Sequence, residues 1–586
     1  MTKSGTGPGC LFNICVAEST KIVSVQSAEP PLSADIQTSA TCESTFVGVI
    51  CSADAGVPLS FTAVAPGATS LQWTFGDGSQ TASGSPVSHT FSVGGSFTVQ
   101  LVATKGLQFA SASRFFNIDA RPKNVAVPWV AQNQSPNAQT SDLYVNNPSA
   151  SPLPVSIYFR RRGTPVTTPP KVERTIPARG TLLFPDALGQ LFTEPNNSGF
   201  IVVEVGPGLE APVVTAVNTS VGPTGAKFTQ TVRGVLIDSA AVEGAGDVQH
   251  LFGLSDTLER DSYLGLTNIG DTRVDLRLEF FDQAGSLLAT SSTIGVPRFG
   301  QKQITKGELR SLYNVQDKSD YRVELNVLNE GDVLAFGASR QLATADPSFA
   351  TGSSGGFGKL YLLGATDSVS NKAPVWQTDI VLANPAPVGQ SAVLRFVEVG
   401  GSGRSSAPVT ISLAAGETKR LVDAISANFN AAKRTGMVVV EAQGADGIYP
   451  VALGETYDNF VPTKRYGQTL EAFAEAEAAV TGERMALVGL RQDADHKTTF
   501  WVAAPGDARA NFDVVIRDFQ GNVLKTMANQ GIGAGKVKQY LSGSVPIAPD
   551  GLFTVEIVVR SGKVIAAGQV TTVSTNDPAF VKGQAY

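Results

Sequence analysis

Histidine, tryptophan and cysteine are scarce in this chain: 586 residues include three His, four Trp and four Cys. His89, His250 and His496 lie far apart, and none has a second His or Cys at metal-ligand spacing. A zinc centre or a Ser-His-Asp triad would have to be assembled from separate domains, so neither is expected. Charge is thin as well. Only 16% of residues are charged, the formal net charge is -6, and Lys and Arg are scattered. That leaves no electrostatic footprint for a nucleic acid backbone or an anionic membrane. No apolar run approaches the roughly 20 residues needed to cross a bilayer, so no membrane span is expected. No phosphate-cradling G-x-x-x-x-G-K-[ST] loop occurs. Gly352-Ser353-Ser354-Gly355-Gly356 fits G-x-S-x-G, but a nucleophile elbow needs a strand before it and a helix after it, and a Gly-rich linker surrounds this one. Paired carboxylates for glycoside hydrolysis are a matter of spatial separation and are not legible in sequence. The chain is therefore read as non-enzymatic, with no catalytic residue and no resident cofactor.

All four cysteines, Cys10, Cys15, Cys42 and Cys51, lie before residue 52. An even count placed ahead of everything else favours disulfides over metal or catalysis, with Cys42 and Cys51 closing one small loop and Cys10 and Cys15 another. Free buried thiols are the alternative. The short apolar stretch from Cys10 to Ala17 is interrupted by Asn13 and makes a poor signal-peptide core. Export is expected through a signal not contained here or without one. The final stretch from Val581 to Tyr586 carries no recognised anchoring tail, so attachment is expected through partners or the N-terminal segment.

What the chain does have is Gly (59), Pro (33) and many Val, Thr, Phe and Ile residues, the composition of short strands joined by tight turns. Its length is too great for one core and suits about four or five domains. Trp73 and Phe75 face one side of a strand that runs into Gly76-Asp77-Gly78, a turn in which the glycines accept positive φ and the Asp binds backbone amides. His89 and Phe91 follow, and then Phe97, Val99 and Leu101 form the apolar side of a returning strand.

Three such elements in this order (W-x-F-G-D-G, H-x-F and a closing G-x-F-x-V-x-L) resemble the PKD domain over residues 53–121. The resemblance implies an extracellular β-sandwich used as a spacer, an adhesion element or an accessory to secreted hydrolases. Residues 1–52 form a cysteine-bearing extension. Asp77 is weighed as a calcium ligand, but one carboxylate falls well short of the roughly six to eight oxygens calcium takes, so a structural role in the turn is preferred. His89 is read as a packing residue.

Beyond Pro122 one pattern recurs four times, over residues 122–238, 249–350, 359–470 and 484–586. Each copy has an apolar strand, a second strand often ending in Asn or Pro, and a third that alternates. Val274, Leu276, Leu278 and Phe280 face in while Arg273, Asp275, Arg277 and Glu279 face out, and Val155, Ile157, Phe159 and Phe512, Val514, Ile516 repeat the inward part. A Gly turn follows (Gly180, Gly300, Gly416, Gly535). Three copies then carry a single helical turn, at Asp186–Phe192, Gly307–Tyr313 and Asp423–Phe429, placed to plug one end of a sandwich. A Val-Glu step recurs at Glu204, Glu324, Glu441 and Glu556; a carboxylate row for calcium is one reading, and outward residues on alternating strands is the preferred one. The second and fourth copies end alike, in Thr344–Phe349 and Thr575–Phe580, where Asp-Pro is read as turn chemistry after the last strand. Residues 350–358 read as a flexible linker and 471–480, rich in helix formers, as a stiffer one.

The run Trp376–Pro385, with its Gly turn, plug and Val-Glu strand, resembles an immunoglobulin-like repeat of secreted bacterial proteins. The second and fourth copies lack the Asn-Pro pair and join the family by strand order. The expected architecture is an all-β, elongated tandem of five immunoglobulin-like β-sandwiches. Two functions follow: a structural or adhesive protein at a bacterial surface, as a stalk or filament subunit contacting other chains or matrix, or a non-catalytic array binding polysaccharide or protein for a secreted hydrolase system. The second would need exposed aromatics, and Trp129, Trp376 and Trp501 are the candidates outside the PKD core.

Overall fold

The computed structural model describes residues 31–45, 48–55, 58–119, 123–133, 138–163, 168–206, 209–237, 248–329, 331–353, 355, 357–368, 372–400, 403–444, 447–544 and 551–586. Cys10, Cys15 and Ser354 lie outside the described residues. Nearly all elements among the described residues are strands, and the chain divides into two compact units, residues 1–121 and 122–586.

In the first unit, a three-stranded sheet (Asp35–Thr38, Pro58–Val64, Val87–Thr90) faces a six-stranded one. In the larger sheet Gly48–Asp54 runs parallel to Gln108–Asp119, and Gly95–Lys105 pairs antiparallel with both Gln108–Asp119 and Ser70–Thr74. Alternation along Gly95–Lys105 buries Val99, Leu101 and Ala103. Val99 and Leu101 meet Phe61, Trp73, Phe75, Phe91 and Phe116 in one aromatic-rich core. Cys42 and Cys51 are disulfide-bonded across paired strands.

The second unit contains four sandwiches of one plan. In the first, Lys171–Ile176, Leu153–Arg161, Ser198–Val205, Val125–Ala131 and Val235–Leu236 form one sheet in that order. The facing sheet runs Thr181–Phe184, Gln139–Asn146, Val213–Val221, Lys227–Arg233. The third module repeats both orders strand for strand, and the facing sheets of the second and fourth, Gln301–Ile304 to Pro347–Thr351 and Val537–Tyr540 to Asp577–Lys582, do the same. The alternation in Val274–Phe281 is as the pattern demands: Val274, Leu276, Leu278 and Phe280 are fully buried. In the fourth module the intervening residues Asp513 and Val515 are buried too, so the middle of that strand has no wet face.

Four sequence expectations are corrected. Asp-Pro does not end the second and fourth modules in a turn. It opens one more strand, Pro347–Thr351 and Asp577–Lys582, which pairs with its neighbour and completes the facing sheet. Residues 471–480 are not helical. They form the short strands Phe473–Ala474 and Ala479–Val480 around a 3-10 turn, because sheet pairing to Lys359–Thr366 and Lys563–Thr572 overrides helix propensity. The start of the 350–358 linker is likewise held: Ala350 and Thr351 belong to a strand, and Ser353 exchanges backbone hydrogen bonds with His250. The plug of the second module is also longer than one turn, a helix over Lys306–Tyr313 with Thr305 and Glu308 in a reciprocal capping box.

The first strand of each module carries a β-bulge, at 127–130, 251–254, 363–365 and 487–490, and in the last three a glycine of positive φ (Gly253, Gly364, Gly489) supplies the extra residue. Each bulge glycine abuts the next module. Gly253 faces Leu453, Gly364 faces the Trp501 ring, and Gly489 of the fourth module faces Thr215 and Val217 of the first. The first-to-second junction is made by Trp129, one residue past Pro128 in its own bulge, whose ring lies 5.9 Å from Tyr263 and 5.7 Å from Phe336. Residues 122–586 therefore close on themselves, the fourth module returning to the first.

Candidate functional site: module junctions and the centre they enclose

The turn residues of the first unit form one cluster. His89 Nε2 lies 2.7 Å from Asp77 Oδ2, while Asp77 Oδ1 accepts hydrogen bonds from the Ser79 amide and hydroxyl. Burial works to raise the Asp77 pKa, but the bonds from Ser79 and His89 together hold it below the ordinary value. The His89 ring stacks on Phe75 at 3.8 Å and meets Phe91 edge-on at 4.7 Å. The Trp73 indole donates to the Gly84 carbonyl at 2.9 Å. Gly76 and Gly78 both have positive φ, and a Cβ on Gly76 would stand 2.7 Å from the Thr98 carbonyl. Phe97 packs at the edge of this core, its ring 4.9 Å from Phe91. The His-Asp contact was not legible in sequence.

In the second unit the Gly turns do a job that periodicity alone did not reveal. The residue after each turn reaches the tip beyond the neighbour's third strand. Thr181 N donates to Phe519 O, Thr418 N donates to Gln283 O, and Gln301 O accepts from Gly163 N, each at 2.9 Å. In the fourth copy a side chain makes the same junction, Lys536 Nζ donating to Gly403 O at 2.5 Å.

Buried charge joins the second module to the third. Arg420 contacts Asp320 at 2.6 Å, Glu455 at 2.7 Å and Asp379 at 3.1 Å, and Arg260 forks onto Glu455 at 2.9 and 3.1 Å. Burial disfavours the charge on Arg420, yet Glu455 and Asp320 push its pKa well above the usual value. Burial likewise opposes ionisation of Glu455, but Arg260 and Arg420 win and pull it down to about 2.

The four Val-Glu carboxylates do not form a row. Glu556 is buried at the fourth-to-first junction among Arg484, Arg517, Arg179 of the first module and the Tyr586 hydroxyl. Glu441 pairs with Lys359 and Arg395, Glu324 with Arg322, and Glu204 acts on Arg160. Among the described residues, no group of three or more His, Cys, Asp or Glu side chains could hold a metal ion. His250 lies 3.8 Å from Glu324, and burial and the Arg322 charge lower its pKa to about 3. Two of the three Trp residues outside the PKD core are spent on packing, Trp129 and Trp501 being 5% and 3% exposed.

At the centre meet the closing strands of all four modules, Lys227–Arg233, Pro347–Thr351, Gly467–Glu471 and Asp577–Lys582. On one side they border a cavity of about 370 Å3 lined by Val235, Phe252, Phe357 and Leu453, with Arg233 and Lys582 among its polar groups. Glu477 binds Lys582 at 2.8 Å and Glu471 lies 3.2 Å from Arg233, so these charges balance. The sequence signal for this centre was the Thr-x-Asp-Pro motif shared by the second and fourth modules.

Residues 45–118 match the PKD domain, so the chain carries a PKD domain followed by tandem immunoglobulin-like sandwiches. No curated protein matches it. Among solved structures it is similar to a Methanosarcina mazei protein (20% identity, covering 20% of this chain and 80% of that one, TM-score 0.13). It is also similar to a structure described as a carbohydrate-binding module of the β-sandwich superfamily (9% identity, 54% and 98%, TM-score 0.13). Escherichia coli alpha-2-macroglobulin activated by porcine elastase gives 9% identity, 94% and 53%, and a TM-score of 0.11. TM-scores this low carry no functional argument. No helix among the described residues is long and apolar enough to cross a membrane.

Proposed function

We propose that the chain is a non-enzymatic extracellular protein of a bacterial surface, a structural or adhesive stalk or filament subunit that acts through its β-sandwich surfaces. The observation that carries this reading is where the chemistry-bearing side chains are spent. The carboxylates of the Val-Glu steps are engaged by Arg and Lys, and Trp73, Trp129 and Trp501 are buried in cores or junctions. Sheet edges are among the surfaces left for a partner. Val523–Ile532 ends its sheet with half of its residues exposed, and Lys171–Ile176 ends another. Such edges, charged by Lys525, Lys171 and Glu173, suit contact with other chains. The PKD domain adds the extracellular expectation.

Purified protein examined by sedimentation over a concentration range, and by binding to bacterial cells and matrix proteins, tests the reading. Self-association or saturable binding is expected; a strict monomer that binds neither would end it.

The glycan-binding alternative has one observation in its favour. Tyr158 lies in an open groove of the first module beside Lys171, Glu173 and Glu204. A glycan array decides it: hits lost in Tyr158→Ala would favour this reading, and an array without hits would dismiss it.

A further inference from the structure

All four modules contribute to the cavity of about 370 Å3 beside the closing strands: Val235 from the first, Phe252 from the second, Leu453 from the third and Lys582 from the fourth. Folded interiors are packed so closely that few voids exceed the size of one water. At the roughly 30 Å3 that a water takes, this one has room for about a dozen non-hydrogen atoms. It thus falls at the lower end of the size range of small-ligand sites, which are mostly apolar with a few polar groups.

Its wall is of two kinds. Val235, Leu251, Phe252, Phe357, Leu360 and Leu453 make the apolar part. Phe357 is 40% exposed, so apolar surface of that wall stands open to water, and covering it is favourable. The polar part has two cations, Arg233 and Lys582, and two carboxylates, Glu471 and Glu477. Lys582 Nζ is fully used, donating to the Ala472 carbonyl at 2.7 Å and to the two Glu477 oxygens at 2.8 and 3.0 Å. Arg233 is not. Its Nε lies 3.2 Å from Glu471 Oε2 and its Nη1 3.8 Å from Glu477 Oε1, and among the described residues neither Nη has a hydrogen-bond partner.

The head group of a ligand follows from these charges. Two positive and two negative side chains, 5% to 34% exposed, leave the polar wall with no net charge. A charged ligand would bring an uncompensated charge into this half-buried set, which is costly. An uncharged carbonyl oxygen can accept from the idle Arg233 Nη donors, and an amide N–H beside it can donate to Glu471 or Glu477.

We propose that this cavity binds a small uncharged amphiphile, with an apolar body of up to about ten carbons against Phe252, Phe357 and Leu453 and an amide or similar carbonyl head on Arg233. Because its wall is drawn from all four modules, the ligand also holds residues 122–586 closed. The site is separate from the sheet edges assigned to partner chains, and its test neither needs nor decides that role.

Isothermal titration calorimetry of the full chain with octanamide, octanoate and octylammonium at pH 7 compares one apolar body under three heads. Octanamide is expected to bind about tenfold or more tightly than either ion, and to raise the melting temperature of residues 122–586 as its concentration rises. Val235→Trp fills the cavity from a half-buried strand position and should abolish binding. Arg233→Met removes the idle donors and should weaken octanamide about tenfold. No binding of octanamide, binding of octanoate or octylammonium as tight as that of octanamide, or undiminished binding in Val235→Trp would each overturn the proposal. Should either variant not fold, the ranking of the three heads on the wild type decides.

Discussion

The Arg420 guanidinium of the third module and the Asp320 carboxylate of the second meet at 2.6 Å across the boundary between them, both nearly removed from solvent. Two charges brought out of water at a junction tie the modules together only while both are present. Arg420→Ala would leave Asp320 and Asp379 short of a cation and is expected to cost about 3–5 kcal/mol. Arg420→Lys keeps the charge, loses the fork and should fall between. Chemical denaturation of the full chain measures both.

Acid should loosen the same junction. Glu455 is held at about 2 in the folded protein against an unfolded value near 4.3. A lowered carboxylate contributes stability above its unfolded pKa and loses it as pH falls, here between roughly pH 4.5 and 2. Glu455→Gln should be less stable than wild type at pH 6 and show a shallower decline below pH 4.5, as read from thermal unfolding.

Trp501 belongs to the fourth module by sequence and to the hydrophobic core of the third by packing. Trp501→Ala removes that plug and is expected to destabilise residues 122–586 by about 3–5 kcal/mol. The expected signature is earlier proteolysis between the third and fourth modules.

The Cys42–Cys51 disulfide closes a loop of nine residues' separation in the first unit. Cys42→Ser with Cys51→Ser should lower the stability of that unit by about 2–3 kcal/mol and leave the transition of residues 122–586 in place, as differential scanning calorimetry would show.

Strand alternation made the sandwiches legible. Val274, Leu276, Leu278 and Phe280 announce a buried face because side chains on a strand alternate with period two. The PKD turn was legible because Gly76 and Gly78 are needed at positive φ and Trp73 needs a core. Closure was not. Nothing in the local pattern around Gly364 says that its missing Cβ makes room for Trp501, some 140 residues away, and the Ala- and Glu-rich run 471–480 has a helical propensity that sheet pairing defeats. The Asp346 and Asp577 motif was visible as a repeat, but its reading as a turn overlooked the closing strand that follows, and with it the centre of the second unit.

Closure of the fourth module onto the first is the claim on which the rest depends, and one engineered bond tests it. The Thr181 and Thr554 hydroxyl oxygens lie 3.0 Å apart across that junction, 373 residues apart in sequence. A chain carrying Thr181→Cys and Thr554→Cys, oxidised and mapped by peptide mass spectrometry, is predicted to form the 181–554 disulfide within single molecules and to melt higher than the reduced form. Two thiols that stay free, or that bond only between molecules, would contradict the closed arrangement.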